Sequence, residues 1–145
     1  MKNALAISAA ALALTFASPA LAGTATYTTQ GGDAVQTGSP ERGGNMQTGT
    51  SMVRMDDGSS HSETWTCIGV TTPPNDKIFD AHTVCDIESD KGVYTATFGC
   101  QNMEGGSQGC VGGLYGRTGA YAGKRGATTW SGRDGSGSGT MQWYD

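Results

Sequence analysis

Along much of the chain apolar and polar side chains alternate with a period of two, the spacing of a strand with one buried face. In residues 63–70 (ETWTCIGV), Glu63, Trp65 and Cys67 share one side, and Thr64, Thr66 and Ile68 share the other. In residues 78–87, Ala81, Thr83, Cys85 and Ile87 face one way. Asp80, His82, Asp86 and Glu88 face the other way, and their charges mark it as the outside. Residues 93–100 group Tyr94, Ala96, Phe98 and Cys100, and residues 50–56 group Val53 with Met55. Residues 23–29 (GTATYTT), 126–131 and 140–144 (TMQWY) bring the set to seven or eight short strands. Between them lie turn signals: Asp57-Gly58, the prolines of 71–76 (TTPPND) and Ser89-Asp90-Lys91-Gly92. Three stretches lack the alternation. Residues 30–49 read as a long loop or a mobile arm with one irregular strand, 101–109 as a polar loop, and 132–139 (GRDGSGSG) as a flexible hairpin loop.

No amphipathic helix pattern occurs past the leader described below. The expectation is therefore an all-β domain, a barrel or a sandwich of seven or eight short strands, with closure favouring the barrel. A last strand paired with the first would remove both sheet edges. Residues 112–132 (GGLYGRTGAYAGKRGATTWSG) hold the clearest sign of closure. Glycines at 119, 123 and 126 surround a single aromatic, Tyr121, as at the tight bend of a barrel end. Tyr121 is expected to fold inward there and close the end.

The cysteines refine the register. With Asp90-Lys91 as a two-residue hairpin loop, Cys85 faces Ala96 rather than Cys100. A hairpin centred near Asp76 places Cys67 opposite Cys85 on the same face, within reach of a bridge. Cys100 and Cys110 then close the polar loop. The intervals of 18, 15 and 10 residues do not resemble the paired spacing of a zinc site.

Residues 1–22 have the form of an export signal. Lys2 is followed by the uncharged apolar run 4–16, then Pro19 and the small-residue site Ala20-Leu21-Ala22. The run is too short for a membrane span, which takes roughly 20 residues. The expected mature chain is 23–145, one domain, periplasmic or secreted, and the even cysteine count fits an oxidising compartment. The net charge of −4 becomes −5 without Lys2, which argues against nucleic acid and anionic lipid as partners.

Glu63 is the candidate catalytic residue. It shares a face with Trp65 and Cys67, and desolvation at a cavity mouth would raise its pKa and suit it to acid–base work. The plainer alternative is that Glu63 starts its strand and bends to water. Trp65, Tyr94, Phe98, Tyr121 and Trp130 are candidate ligand-binding residues, and with Trp143 they serve equally as core filling. His61 with Glu63 and Asp80 with His82 are potential metal-ligand pairs, but nothing in the sequence joins them, and no metal or cofactor is expected. Gly123-Lys124 lacks the remaining residues of a phosphate loop.

The run Gly116-Arg117-Thr118-Gly119-Ala120-Tyr121-Ala122-Gly123-Lys124-Arg125-Gly126 resembles the G-G-[ST]-G-x-[FY]-x-G-x-x-G signature of the allene oxide cyclases and their relatives, the dirigent proteins. Arg117 stands where the signature has its second glycine. The resemblance implies an eight-stranded antiparallel β-barrel of calycin-like form with a ligand cavity, often trimeric, with small exported bacterial members. Cyclases of this family use a cavity glutamate and dirigent proteins use cavity aspartates, and neither set maps onto this chain residue by residue. The functional expectation is an exported barrel that binds a small apolar ligand or serves a structural role, possible as a homo-oligomer. The alternatives are a cavity-based isomerase or cyclase, and a protein-binding or inhibitor module.

Overall fold

A computed structural model describes residues 21–39, 41–71 and 78–144. The leader expected at 1–22 lies, up to residue 20, outside the described residues, as does the proline break beyond Thr71. Eight strands run β1 (Leu21–Ser39), β2 (Arg42–Met55), β3 (Ser60–Thr71), β4 (Ala81–Ser89), β5 (Gly92–Asn102), β6 (Gln108–Gly116), β7 (Arg125–Arg133) and β8 (Ser136–Tyr144). Each pairs antiparallel with the next, and β8 returns to β1, with Thr24 opposite Gln142 and Thr28 opposite Ser138. The all-β closed barrel is thus the observed fold. Among the described residues no helix is long and apolar enough to cross a membrane.

The alternation read from the sequence is the inside–outside pattern of the wall. On β3, Glu63 and Trp65 are buried while Thr64, Thr66 and Ile68 are exposed. On β4, Cys85 and Ile87 are buried between exposed Val84, Asp86 and Glu88. Cys67 stands directly opposite Cys85, Cys85 opposite Ala96, and Cys100 opposite Cys110. Both cross-strand bridges, Cys67–Cys85 and Cys100–Cys110, are formed, and among the described residues no cysteine is free.

Two of the three stretches read as loops are mostly strand, and the third is strand at both ends. Residues 30–39 belong to β1 and 42–49 to β2, and the two strands stay paired past a register shift between Gly31 and Ala34 as far as Ser39 opposite Arg42. Residues 34–39 are exposed whichever way they point, so no buried face imposes a period of two there. Residues 101–109 contribute the ends of β5 and β6 around a short 3-10 turn at Glu104–Gly106. Of 132–139, only Asp134 and Gly135 form the turn. Both take positive φ, 50° and 75°, as a two-residue type I′ hairpin requires. Gly137 is therefore not in a flexible loop. It sits in β8 opposite Gly132, where a side chain would collide with the Ser131 carbonyl.

One end of the barrel is closed by the bend at 116–124. Gly119 has φ +61° and lies so near Lys91 that a side chain would strike the Lys91 carbonyl. The Ala120 amide donates to Lys91 O at 2.8 Å, and the Val93 amide donates to the Thr118 hydroxyl at 3.0 Å, tying the bend to the β4–β5 turn. The bend drives Tyr121 inward. Its ring stacks on Trp143 at 5.1 Å and meets Tyr94 edge-on at 4.9 Å, over a base that includes fully buried Val53.

Candidate functional site

Above that aromatic base the barrel is hollow. A cavity of about 710 Å³ runs from the level of Glu63 to the opposite, open end. Its wall is largely apolar, with Trp65, Ile87, Ala96, Phe98, Leu114 and Trp130 together with both disulfides. Its mouth is lined by the carboxamides of Gln36, Asn45, Gln47, Asn102 and Gln108 and by Arg133. Its floor is polar, with Ser51, Glu63, Tyr94, Tyr27 and Thr128. Inward positions on neighbouring strands bring these floor groups together. Ser51 on β2 stands directly opposite Glu63 on β3, and Tyr94 on β5 stands opposite Ile87 on β4.

Glu63 is the centre of the floor. Only 3 % of it is exposed, so the alternative in which it bends to water is overturned. The strand begins at Ser60 rather than at Glu63, which puts Glu63 well inside the wall. The Tyr94 hydroxyl donates to Glu63 Oε2 at 2.9 Å, and His61 Nε2 lies 3.2 Å from Oε1. The Tyr121 hydroxyl lies 3.2 Å from the same His61 nitrogen, which joins the floor to the aromatic base. Burial pushes the Glu63 carboxyl above its ordinary range, and the hydrogen bonds from Tyr94 and then His61 offset part of that rise. Tyr94 is itself pushed up by burial and by the Glu63 charge. Tyr27 and Tyr121 rise to about 12, chiefly through burial. These phenols stay protonated at neutral pH and act as hydrogen-bond donors. Tyr27 donates a hydrogen bond to the Thr129 carbonyl at 2.7 Å, whereas Tyr94 donates to the carboxyl.

Of the residues singled out by sequence, Trp65, Tyr94, Phe98 and Trp130 line the cavity, and Tyr121 lies beneath its floor. The four cysteines lie in its wall. The two conceivable metal pairs are at opposite ends. His61 and Glu63 are at the floor, while His82 is on the exposed side of β4 near the mouth, opposite Val70. Among the described residues no three His, Cys, Asp or Glu side chains are grouped to hold a metal ion.

Sequence reasoning missed Ser51, Thr128 and the carboxamides of the mouth. Ser51 carries a usable signal, because it is two residues from Val53 and so shares the inward face. A small hydroxyl at an inward position is a polar group placed inside. The carboxamides gave no such signal, because they lie in the stretches without alternation. Two buried polar atoms find no hydrogen-bond partner among the described residues, His61 Nδ1 and the Trp65 indole N–H. Compared with known protein families and with curated proteins, the chain matches none.

Proposed function

We propose that this barrel is an exported binding protein for a small, mainly apolar molecule, held in the central cavity. The observation that carries the reading is the cavity itself. Its volume lies within the roughly 300–1,000 Å³ typical of small-molecule sites, and it combines apolar walls with a few convergent polar groups. The two disulfides support an oxidising compartment, and the leader-like residues 1–22 support export. A filled interior would have favoured a purely structural or protein-binding role.

Titration with N-phenyl-1-naphthylamine, a neutral fluorophore that brightens in apolar surroundings, tests the reading. Bright, saturable binding is expected. Thr83→Trp, which projects a ring from the β4 wall into the cavity, should abolish it while leaving the folded spectrum intact. No fluorescence gain with the parent protein would sink the proposal.

A second reading, a cavity isomerase, rests on Glu63. A buried carboxyl with a raised pKa is suited to moving a proton within a bound molecule. The resemblance to allene oxide cyclases and dirigent proteins supports both readings. Glu63→Gln separates them. A binding protein returns its ligand unchanged in either form, whereas an isomerase returns a rearranged product only with Glu63 present.

A further inference from the structure

Ser51 is 7 % exposed and lines the floor of the cavity. No side-chain hydrogen bond holds its hydroxyl among the described residues, and that hydroxyl is open to the cavity rather than sealed off like His61 Nδ1 and the Trp65 indole N–H. The other floor hydroxyls are engaged. Tyr94 donates to Glu63, Tyr27 donates to the Thr129 carbonyl, and Thr128 donates to the Thr140 carbonyl at 3.0 Å. Because it opens on the cavity, the Ser51 hydroxyl offers its donor and acceptor to whatever occupies that space, and a ligand that displaces water from it must replace the lost hydrogen bonds.

Directly across the ladder stands Glu63. Inward neighbours at such a position have Cβ atoms about 5 Å apart. A carboxylate offers about four acceptor sites. Tyr94 occupies one on Oε2, His61 lies against Oε1 and Tyr121 is a further partner, so the capacity is not fully used. The pair thus presents one free hydroxyl and one partly free carboxylate, side by side, at the bottom of an apolar shaft.

Resting on the reading of the barrel as a binder of apolar molecules, we infer that its ligand ends in a hydroxyl group seated between Ser51 and Glu63. The ligand O–H donates to the Glu63 carboxylate, and its oxygen accepts from Ser51. A carboxylate at that end would meet the like charge of Glu63, and a wholly apolar end would leave Ser51 unpaired. An alcohol satisfies both groups at once.

The test is displacement of N-phenyl-1-naphthylamine by 1-octanol and by 1-methoxyoctane. The ether can accept from Ser51 but has no proton for Glu63. 1-Octanol should displace the fluorophore at about tenfold lower concentration than the ether, the scale of one hydrogen bond to a charged group. In Ser51→Ala the affinity for 1-octanol should fall several-fold while fluorophore affinity stays within about twofold, the loss expected of one neutral hydrogen bond. Equal displacement by alcohol and ether in the parent would overturn the inference while leaving the cavity reading intact. Undiminished 1-octanol binding in Ser51→Ala would overturn it too. A fluorophore that does not bind at all would instead remove the binding-protein reading beneath it.

Discussion

At one end of the barrel Tyr94, Tyr121 and Trp143 meet with ring centroids 4.9 to 5.2 Å apart. At the other end Gln36, Asn45, Asn102 and Gln108 surround an opening. The same strands build both ends, and the same period of two governs which side chains turn inward. The ends differ in what the inward positions carry. Large rings pack on one another at the first end. Amides at the second leave the centre open. Ring packing holds the filled end, the two disulfides brace the wall of the open one, and the polar floor around Glu63 is the boundary between them.

Substitutions can break this contrast. Tyr121→Ala should have the largest effect. It removes a buried ring in contact with two others, and a loss of about 3–5 kcal/mol is expected if the base cannot collapse around the gap. Urea unfolding measures it, and a loss below about 0.5 kcal/mol, the range of surface changes, would mean that the aromatic base does not hold the barrel.

At the boundary the expected effect is intermediate and depends on pH. The Glu63 carboxyl is raised above its unfolded value of 4.5, chiefly by burial, so the folded state holds that proton more tightly than the unfolded state. Its contribution to stability is full below pH 4.5 and is lost as pH rises through the folded pKa. Glu63→Gln has no such titration. The stability of the parent relative to Glu63→Gln should therefore decline across that window. Asp86 works in the opposite sense, held low by hydrogen bonds from Arg117 and Thr95, and its contribution is lost as pH falls below 3.8. The two windows lie on different sides of the acid range. A parent-to-variant difference that stays flat from pH 4 to 8 would show that Glu63 does not feel its burial.

The smallest effect belongs to the mouth. Asn45 is exposed, and Asn45→Ala should unfold within about 0.5 kcal/mol of the parent. A loss approaching that of Tyr121→Ala would erase the distinction between the two ends.

The sequence was most legible where one face of a strand is buried and the other wet. A hairpin centred near Asp76 made the register of Cys67 with Cys85 readable, and the alternation placed Trp65 and Tyr94 inward. It failed along 34–39, where both faces meet solvent and nothing distinguishes strand from loop. Glycine misled in a second way. The run at 132–139 has the composition of a linker, yet Gly132 and Gly137 are there because two strands pass too closely for side chains. At the candidate site, Glu63 was visible as a carboxylate among inward residues. Its burial was not visible, because that depends on Tyr94 arriving from β5 to partner it and on the barrel closing around both. Ser51 lies in the same alternation as Val53 yet went unread, and its opening on the cavity is a property of the assembled floor alone.

The seam between β1 and β8 governs how this chain can fold. Neighbouring hairpins can pair as soon as both their strands exist, but the ladder from Thr24–Gln142 to Thr28–Ser138 joins opposite ends of the sequence. Contacts of such long separation slow folding, since chain entropy is lost before any pairing energy is recovered. Until β8 arrives, β1 presents an unpaired row of amides and carbonyls to its surroundings, as does the far side of β7. Both edges can be captured by another chain during that interval. Along the seam the finished cylinder has no such edge, so the risk there is confined to the time before the last strand is in place, whereas β1 beyond Thr29 keeps a side that β8 does not pair.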